Sequence, residues 1–256
     1  MHNLMVLVKK EILEQRRTNK ILILAILFLF VAISSPVLAK LTPLILKSVN
    51  VPGLTIQLPD PTFMDSMDQY IKNISQLGIF VLVFLVAGAI AEEKTSKTLE
   101  MILTKPISRV SFILSKFSSY FITISSVFIL TSLLFYFYTV TTLGSFSFIN
   151  FCIVMLCSLL YILMIVYVTI FFSTVMKNTI TSAIMGFVFI FISSLVFSLI
   201  EAFKPYSPSL IMSNYKDVIV NGFSNDLIKP IIVCLVIILI SIVSSIFFFR
   251  KQEVER

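Results

Sequence analysis

Charge is what this sequence has least of: 13% of its 256 residues are Asp, Glu, Lys or Arg, against 58% hydrophobic residues and a mean hydropathy of +1.03. So little polar surface cannot cover a soluble globule, so the chain reads as an integral membrane protein. Glycine is also scarce. None of the six is followed by Lys, so the phosphate-cradling pattern GxxxxGK[ST] is absent and the chain cannot hydrolyse ATP by that route. The single histidine, His2, is terminal, and neither HExxH nor GxSxG occurs. Catalytic, cofactor-binding and metal-ligating residues are therefore not expected. Cys152, Cys157 and Cys234 all fall in apolar runs and read as small packing residues without disulfide or metal roles.

What is present is a series of apolar runs of membrane-crossing length at residues 21–42, 74–91, 110–140, 150–176, 179–200 and 229–249. They do not alternate polar with apolar residues, which disfavours a barrel. The fold class expected is all-α integral membrane, with six transmembrane helices. The third run is overlong, so an interfacial turn is expected near Lys116, whose stem would snorkel to the headgroups. A cleaved signal peptide ending near "SSPVLAK" is the competing reading of the N-terminus, but the first run is too long for it.

Alternate loops divide the cations unequally, fourteen Lys and Arg on one side and six on the other. Cationic loops resist translocation, so both termini are expected in the cytoplasm. The net charge of +7 then reflects this asymmetry and contact with anionic lipid, and nucleic acid is not a required partner.

Residues 1–20 form a cytoplasmic segment in which Met1, Leu4, Met5, Val8 and Ile12 share about a 100° arc, with Lys9, Lys10, Glu14, Arg16 and Arg17 outside it. This predicts an amphipathic interfacial helix. Residues 21–249 make a single transmembrane domain with external loops at about 43–73 and 201–228, and 250–256 form a cytoplasmic tail. Within the first external loop, 60–72 can be a short helix leading into the second span, with Asp65 and Asp68 on a solvated face. In the second, "SLIMSNYKDVIV" is apolar enough for a short helix on or in the outer leaflet. The middles of the six runs hold no ionisable group. That argues against proton coupling.

The cytoplasmic segment 92–109, "EEKTSKTLEMILTKPISR", opens as a helix whose Glu92 and Glu93 favour the positive end of its dipole, and Pro106 ends it. Leu99, Ile102 and Leu103 form an apolar patch facing lipid or a partner.

The order "EEKTSKTLEMILTKPISRVSFILSKF" resembles the segment after the second transmembrane helix of ABC-2 type transporter permeases. The matching residues are Glu93, Lys94, Thr98, Leu99, Glu100, Leu103, Pro106, Ser108, Arg109 and Lys116. The departures are Lys97, where glycine is usual, and Ser115 before Lys116. The resemblance implies that this stretch is a coupling helix docking on a separate ATP-binding cassette ATPase, which would bind the ATP and magnesium. Glu92, Glu93, Lys94, Lys97, Leu99, Glu100, Ile102, Leu103, Pro106 and Arg109 would then carry the coupling contacts. It further implies a homodimer or a pairing with a second permease, in a bacterial cell membrane, most simply exporting an amphiphilic or apolar substrate. A secondary carrier, a channel, or a membrane anchor recruiting a cytoplasmic partner are the alternatives.

Overall fold

The computed structural model of the protein describes residues 2–48, 60–98 and 108–251. Among these residues the chain is all-helical, and six helices are long and apolar enough to cross a membrane. Helix α1 (His2–Arg17) precedes them and ends at Asn19, whose φ of +58° is the left-handed conformation that Asn tolerates better than most residues. The first span lies in α2 (Lys20–Ser48).

The second span is longer than its apolar run. Helix α3 (Phe63–Asn73) passes through a π-helical turn (Ile74–Gly78) into α4 (Ile79–Thr95), a continuous rod in which the expected short external helix and the span are one element. Its start is fixed by Asp65, whose Oδ2 accepts from the Thr62 backbone N–H at 2.8 Å and the Thr62 hydroxyl at 2.9 Å. This is the reciprocal half of a capping box, so Asp65 caps the helix while staying on the solvated face where it was expected.

The third span, α5 (Arg109–Leu143), is a single helix started by Ser108, whose side chain accepts from the Ser111 N–H. At 1.5 Å per residue its 35 residues extend about 52 Å, against roughly 30 Å of hydrocarbon. The expected interfacial turn near Lys116 is therefore corrected: the helix is unbroken and simply projects beyond the apolar layer. Helices α6 (Phe148–Val175) and α7 (Thr179–Leu199) follow. After a 3-10 turn (Glu201–Tyr206) come the short α8 (Leu210–Ser213) and α9 (Tyr215–Asn221), and then α10 (Ile228–Lys251).

Helix α6 is the centre of the bundle. Its apolar window is 72% buried, against 17% for both α7 and α10, and it packs on α4, α5, α7, α8, α9 and α10. Because lipid is as apolar as a leucine side chain, such packing is held by close approach and interhelical hydrogen bonds more than by a hydrophobic difference. Both are visible. Gly186 of α7 brings its backbone so near α6 and α4 that an added Cβ would meet Thr169 Oγ1 and Val83 Cγ1 at 3.2 Å. Tyr70 stacks on Phe135 with ring centroids 3.9 Å apart and pairs its hydroxyl with Ser132 at 3.0 Å, while Ser66 pairs with Thr139 at 3.2 Å, joining α3 to α5. At this end of the bundle α8 and α9 bury Ile211, Met212, Tyr215, Val218 and Ile219, so the semi-apolar segment is folded onto the protein.

Candidate functional site at the α1 end of the bundle

The opposite end gathers α1, the last turn of α4, the first turns of α5 and the ends of α6 and α10. Three consecutive charged residues close α4, which corrects the expectation that Glu92 and Glu93 open a new helix: the span's own backbone ladder continues through them to Thr95. Successive side chains on a helix point about 100° apart, so Glu92, Glu93 and Lys94 reach three different neighbours. Glu92 Oε2 accepts from Lys20 Nζ of α2 at 2.7 Å. Lys94 donates to the carbonyls of Thr174 and Met176, satisfying orphan acceptors where α6 ends. Glu93 turns inward, where its Oε1 accepts from Lys116 Nζ at 2.6 Å and lies 3.4 Å from Lys10 Nζ.

Lys116 is the hub of this cluster. Its ammonium also meets Glu11 Oε2 of α1 at 2.6 Å and lies 5.6 Å from the Phe112 ring centroid. The side chains of Glu11, Glu93 and Lys116 are all within 3–5% exposure. Lys116 thus does not snorkel to headgroups, as its place near the end of a span suggested; two carboxylates offered from α1 and α4 draw it inward. Burying charge is costly unless it is paired and hydrogen-bonded, so the ammonium requires both partners. Glu93 Oε2 is left without a hydrogen-bond partner.

At the rim, Lys10 bonds Glu14 at 2.8 Å and Glu11 at 3.0 Å. Burial alone would lower the Lys10 pKa, but the Glu14 hydrogen bond and the charges of Glu11 and Glu93 outweigh it and hold it above the usual lysine range. Burial would likewise raise Glu14, and its bond to Lys10 with the charges of Lys116, Lys10 and Lys20 brings it below the usual carboxylate value. Carboxylate oxygens of Glu11, Glu14 and Glu93 lie within 4.8 Å of one another, with the ammonium groups of Lys10 and Lys116 among them. Gln15 Nε2 donates to Ser119 Oγ at 3.2 Å and completes the seam between α1 and α5.

Arg109 donates to the carbonyls of Phe249 at 3.4 Å and Arg250 at 3.0 Å, placing its cation at the negative end of α10. Lys97 is exposed with φ +57°, the conformation that glycine adopts freely. Of the residues singled out in the sequence, Glu92, Glu93, Lys94 and Arg109 are thus drawn into one brace across α1, α2, α4, α5, α6 and α10. Leu99, Glu100, Ile102, Leu103 and Pro106 lie outside the described residues. Sequence reasoning passed over Glu11, Gln15 and Ser173. The Ser173 hydroxyl accepts from the backbone N–H groups of Ile90 and Ala91 at 2.9 and 3.0 Å and fastens α4 to α6. A signal for the first two was available: Leu7, Glu11 and Gln15 recur at helical spacing beside the apolar arc of α1.

A sequence model of the ABC-2 family transporter proteins matches residues 5–254, nearly the whole chain. The chain belongs to this ABC-2 transporter family. An uncharacterized transmembrane protein of Bacillus subtilis (strain 168), YxlG, is 27% identical over 115 residues, which is 44% of this chain. That match covers 45% of YxlG, so the chain spans less than half the length of the curated relative it matches. This membership and the six apolar helices indicate a multi-pass membrane protein. The brace lies at the end of α4, within the first residues of the segment 92–109 that carries the resemblance.

Proposed function

We propose that this ABC-2 permease is the membrane subunit of an ATP-driven exporter, energised by a separate ATP-binding cassette ATPase that docks on segment 92–109. The observation that carries the reading is the family match over residues 5–254 in a chain whose sequence holds no phosphate-binding loop. In this reading the permease moves substrate and the cassette ATPase supplies the energy. The cation asymmetry supports placing the α1 end in the cytoplasm of a bacterial cell, with both termini on that side.

The arrangement around Lys116 supports a mechanical role for the segment. A helix that ends loosely would absorb a push from a partner, whereas α4 ends pinned to α1, α2, α5 and α6 by Glu93, Glu92, Lys116 and Lys94. Force applied beyond Thr98 therefore reaches several spans together. Glu93 and Lys94 act inside the permease, and the docking contacts fall to Lys97, Leu99, Glu100, Ile102 and Leu103. Two permease subunits, alike or different, enclose a path between them for an amphiphilic or apolar substrate.

The test is a mild-detergent purification from native membranes, with mass spectrometry of copurifying chains and an ATPase assay. A cassette ATPase in equal amount, lost when Leu99, Ile102 and Leu103 are replaced by Glu, is the expected result. A homo-oligomer without nucleotide hydrolysis would instead favour a carrier or channel.

A further inference from the structure

Helix α1 docks on the bundle by an unexpected face. The side chains it buries are Leu7, Glu11 and Gln15, two of them polar, and the neighbouring apolar arc is left partly or wholly open, with Met5 76% and Leu13 45% exposed. Between that arc and α5 runs a groove of about 520 Å3, lined by Leu4, Met5, Val8, Ile12 and Leu13 together with Ser118 and Ile122. Lys9 is on its rim. Arg16, seven residues on from Lys9, projects from nearly the same side of the helix and is exposed.

We propose that this groove is a binding site for one acyl chain of an anionic phospholipid, whose phosphate is held by Lys9 and Arg16. Two observations select a lipid over a protein occupant. The groove is lined in part by Ile122, an exposed residue of a helix long and apolar enough to cross a membrane, so it opens onto the apolar outer surface of that helix. Its rim carries cations at the depth of an interfacial helix, where an anionic headgroup lies and a soluble protein has no access to the apolar floor. The polar docking face explains why the groove stays open. Because Glu11 and Gln15 are committed to Lys116 and Ser119, α1 cannot rotate to close the groove. A lipid seated there bridges α1 and α5 beside the ion cluster.

The inference rests on α1 lying in the membrane interface, as in the permease reading, and is tested without reference to transport. The full-length protein, delipidated in neutral detergent, is titrated with phosphatidylglycerol or phosphatidylcholine of the same acyl chains, reading thermal midpoint and, by native mass spectrometry, retained lipid. Phosphatidylglycerol should raise the midpoint saturably and remain bound at one per chain, with phosphatidylcholine much weaker. Each cation near an anionic headgroup favours binding about fivefold, so Lys9→Gln with Arg16→Gln should lower that preference roughly 25-fold. Both residues are exposed, so this variant carries no folding risk. Ser118→Phe, which fills the groove, should abolish retention. Equal response to the two lipids, or phosphatidylglycerol retained unchanged in both variants, overturns the site. Loss of a dimer in Ser118→Phe without any lipid preference would assign the groove to a second copy and overturn it too. An ATPase that still copurifies in either case leaves the permease reading standing.

Discussion

Lys97 occupies a backbone conformation that costs a residue with a Cβ about 1 kcal/mol, just past the point where α4 stops. Replacing it tests whether its side chain is needed. Lys97→Gly relieves the strain but enlarges the unfolded ensemble, so a net gain of about 0.5 kcal/mol is expected in thermal unfolding. If Lys97 contacts the ATPase, the same variant should weaken copurification despite that gain. Lys116 carries more. Lys116→Met leaves Glu11 and Glu93 buried without their shared cation and should cost about 3–5 kcal/mol, whereas Lys116→Met combined with Glu11→Leu and Glu93→Leu should recover most of it. Failure of the triple variant to recover stability would show that the cluster is held by more than charge pairing. The sequence showed the charge of Lys116 but not its fate. An ammonium near the end of a long apolar run can snorkel or pair, and only the register of α1 against α5, which brings Glu11 opposite, decides between them.

At the scale of elements, the six spans and the amphipathic first helix were legible because hydrocarbon thickness and helical periodicity leave few other solutions for such runs. Their extents were not. Helices α3 and α5 run past the apolar layer because backbone hydrogen bonds continue wherever no proline stops them and a cap such as Thr62 or Ser108 starts them. Which face of α1 docks was also hidden, since the polar residues it buries, Glu11 and Gln15, find their partners across the seam in Lys116 and Ser119, far along the chain. Its attachment should respond to pH. Glu14, lowered by folding, contributes above its ordinary value of 4.5 and loses its contribution as pH falls through its folded pKa. Lys10, raised by folding, contributes fully below 10.5 and loses it only as pH climbs through its higher folded value. The protection of α1 against hydrogen exchange, corrected for the intrinsic pH dependence of amide exchange, should therefore hold through the neutral range and fall as acid protonates Glu14 below its ordinary carboxylate range. Between α7 and its neighbours the fit is steric. Gly186→Leu must push α7 off Thr169 and Val83, and a loss of at least 1 kcal/mol is expected in denaturation, with Gly186→Ala milder.

For the whole molecule, the burial of the spans divides the permease into a packed interior around α6 and a thinly covered side formed by α7 and α10. The family could be read from one charged motif between the second and third spans, while the brace behind it could not, because its members come from separate stretches of the chain brought together by packing. Helix α6 is tied to α4 by Ser173 near one end and carries α8 and α9 at the other, with α5, α7 and α10 around its length. It is the keel of the vessel. In the transport cycle proposed above, spin labels on exposed positions of α4 and α6 near Ser173 should hold their distance, while in the proposed two-subunit assembly pairs between subunits should lengthen and shorten with each turnover.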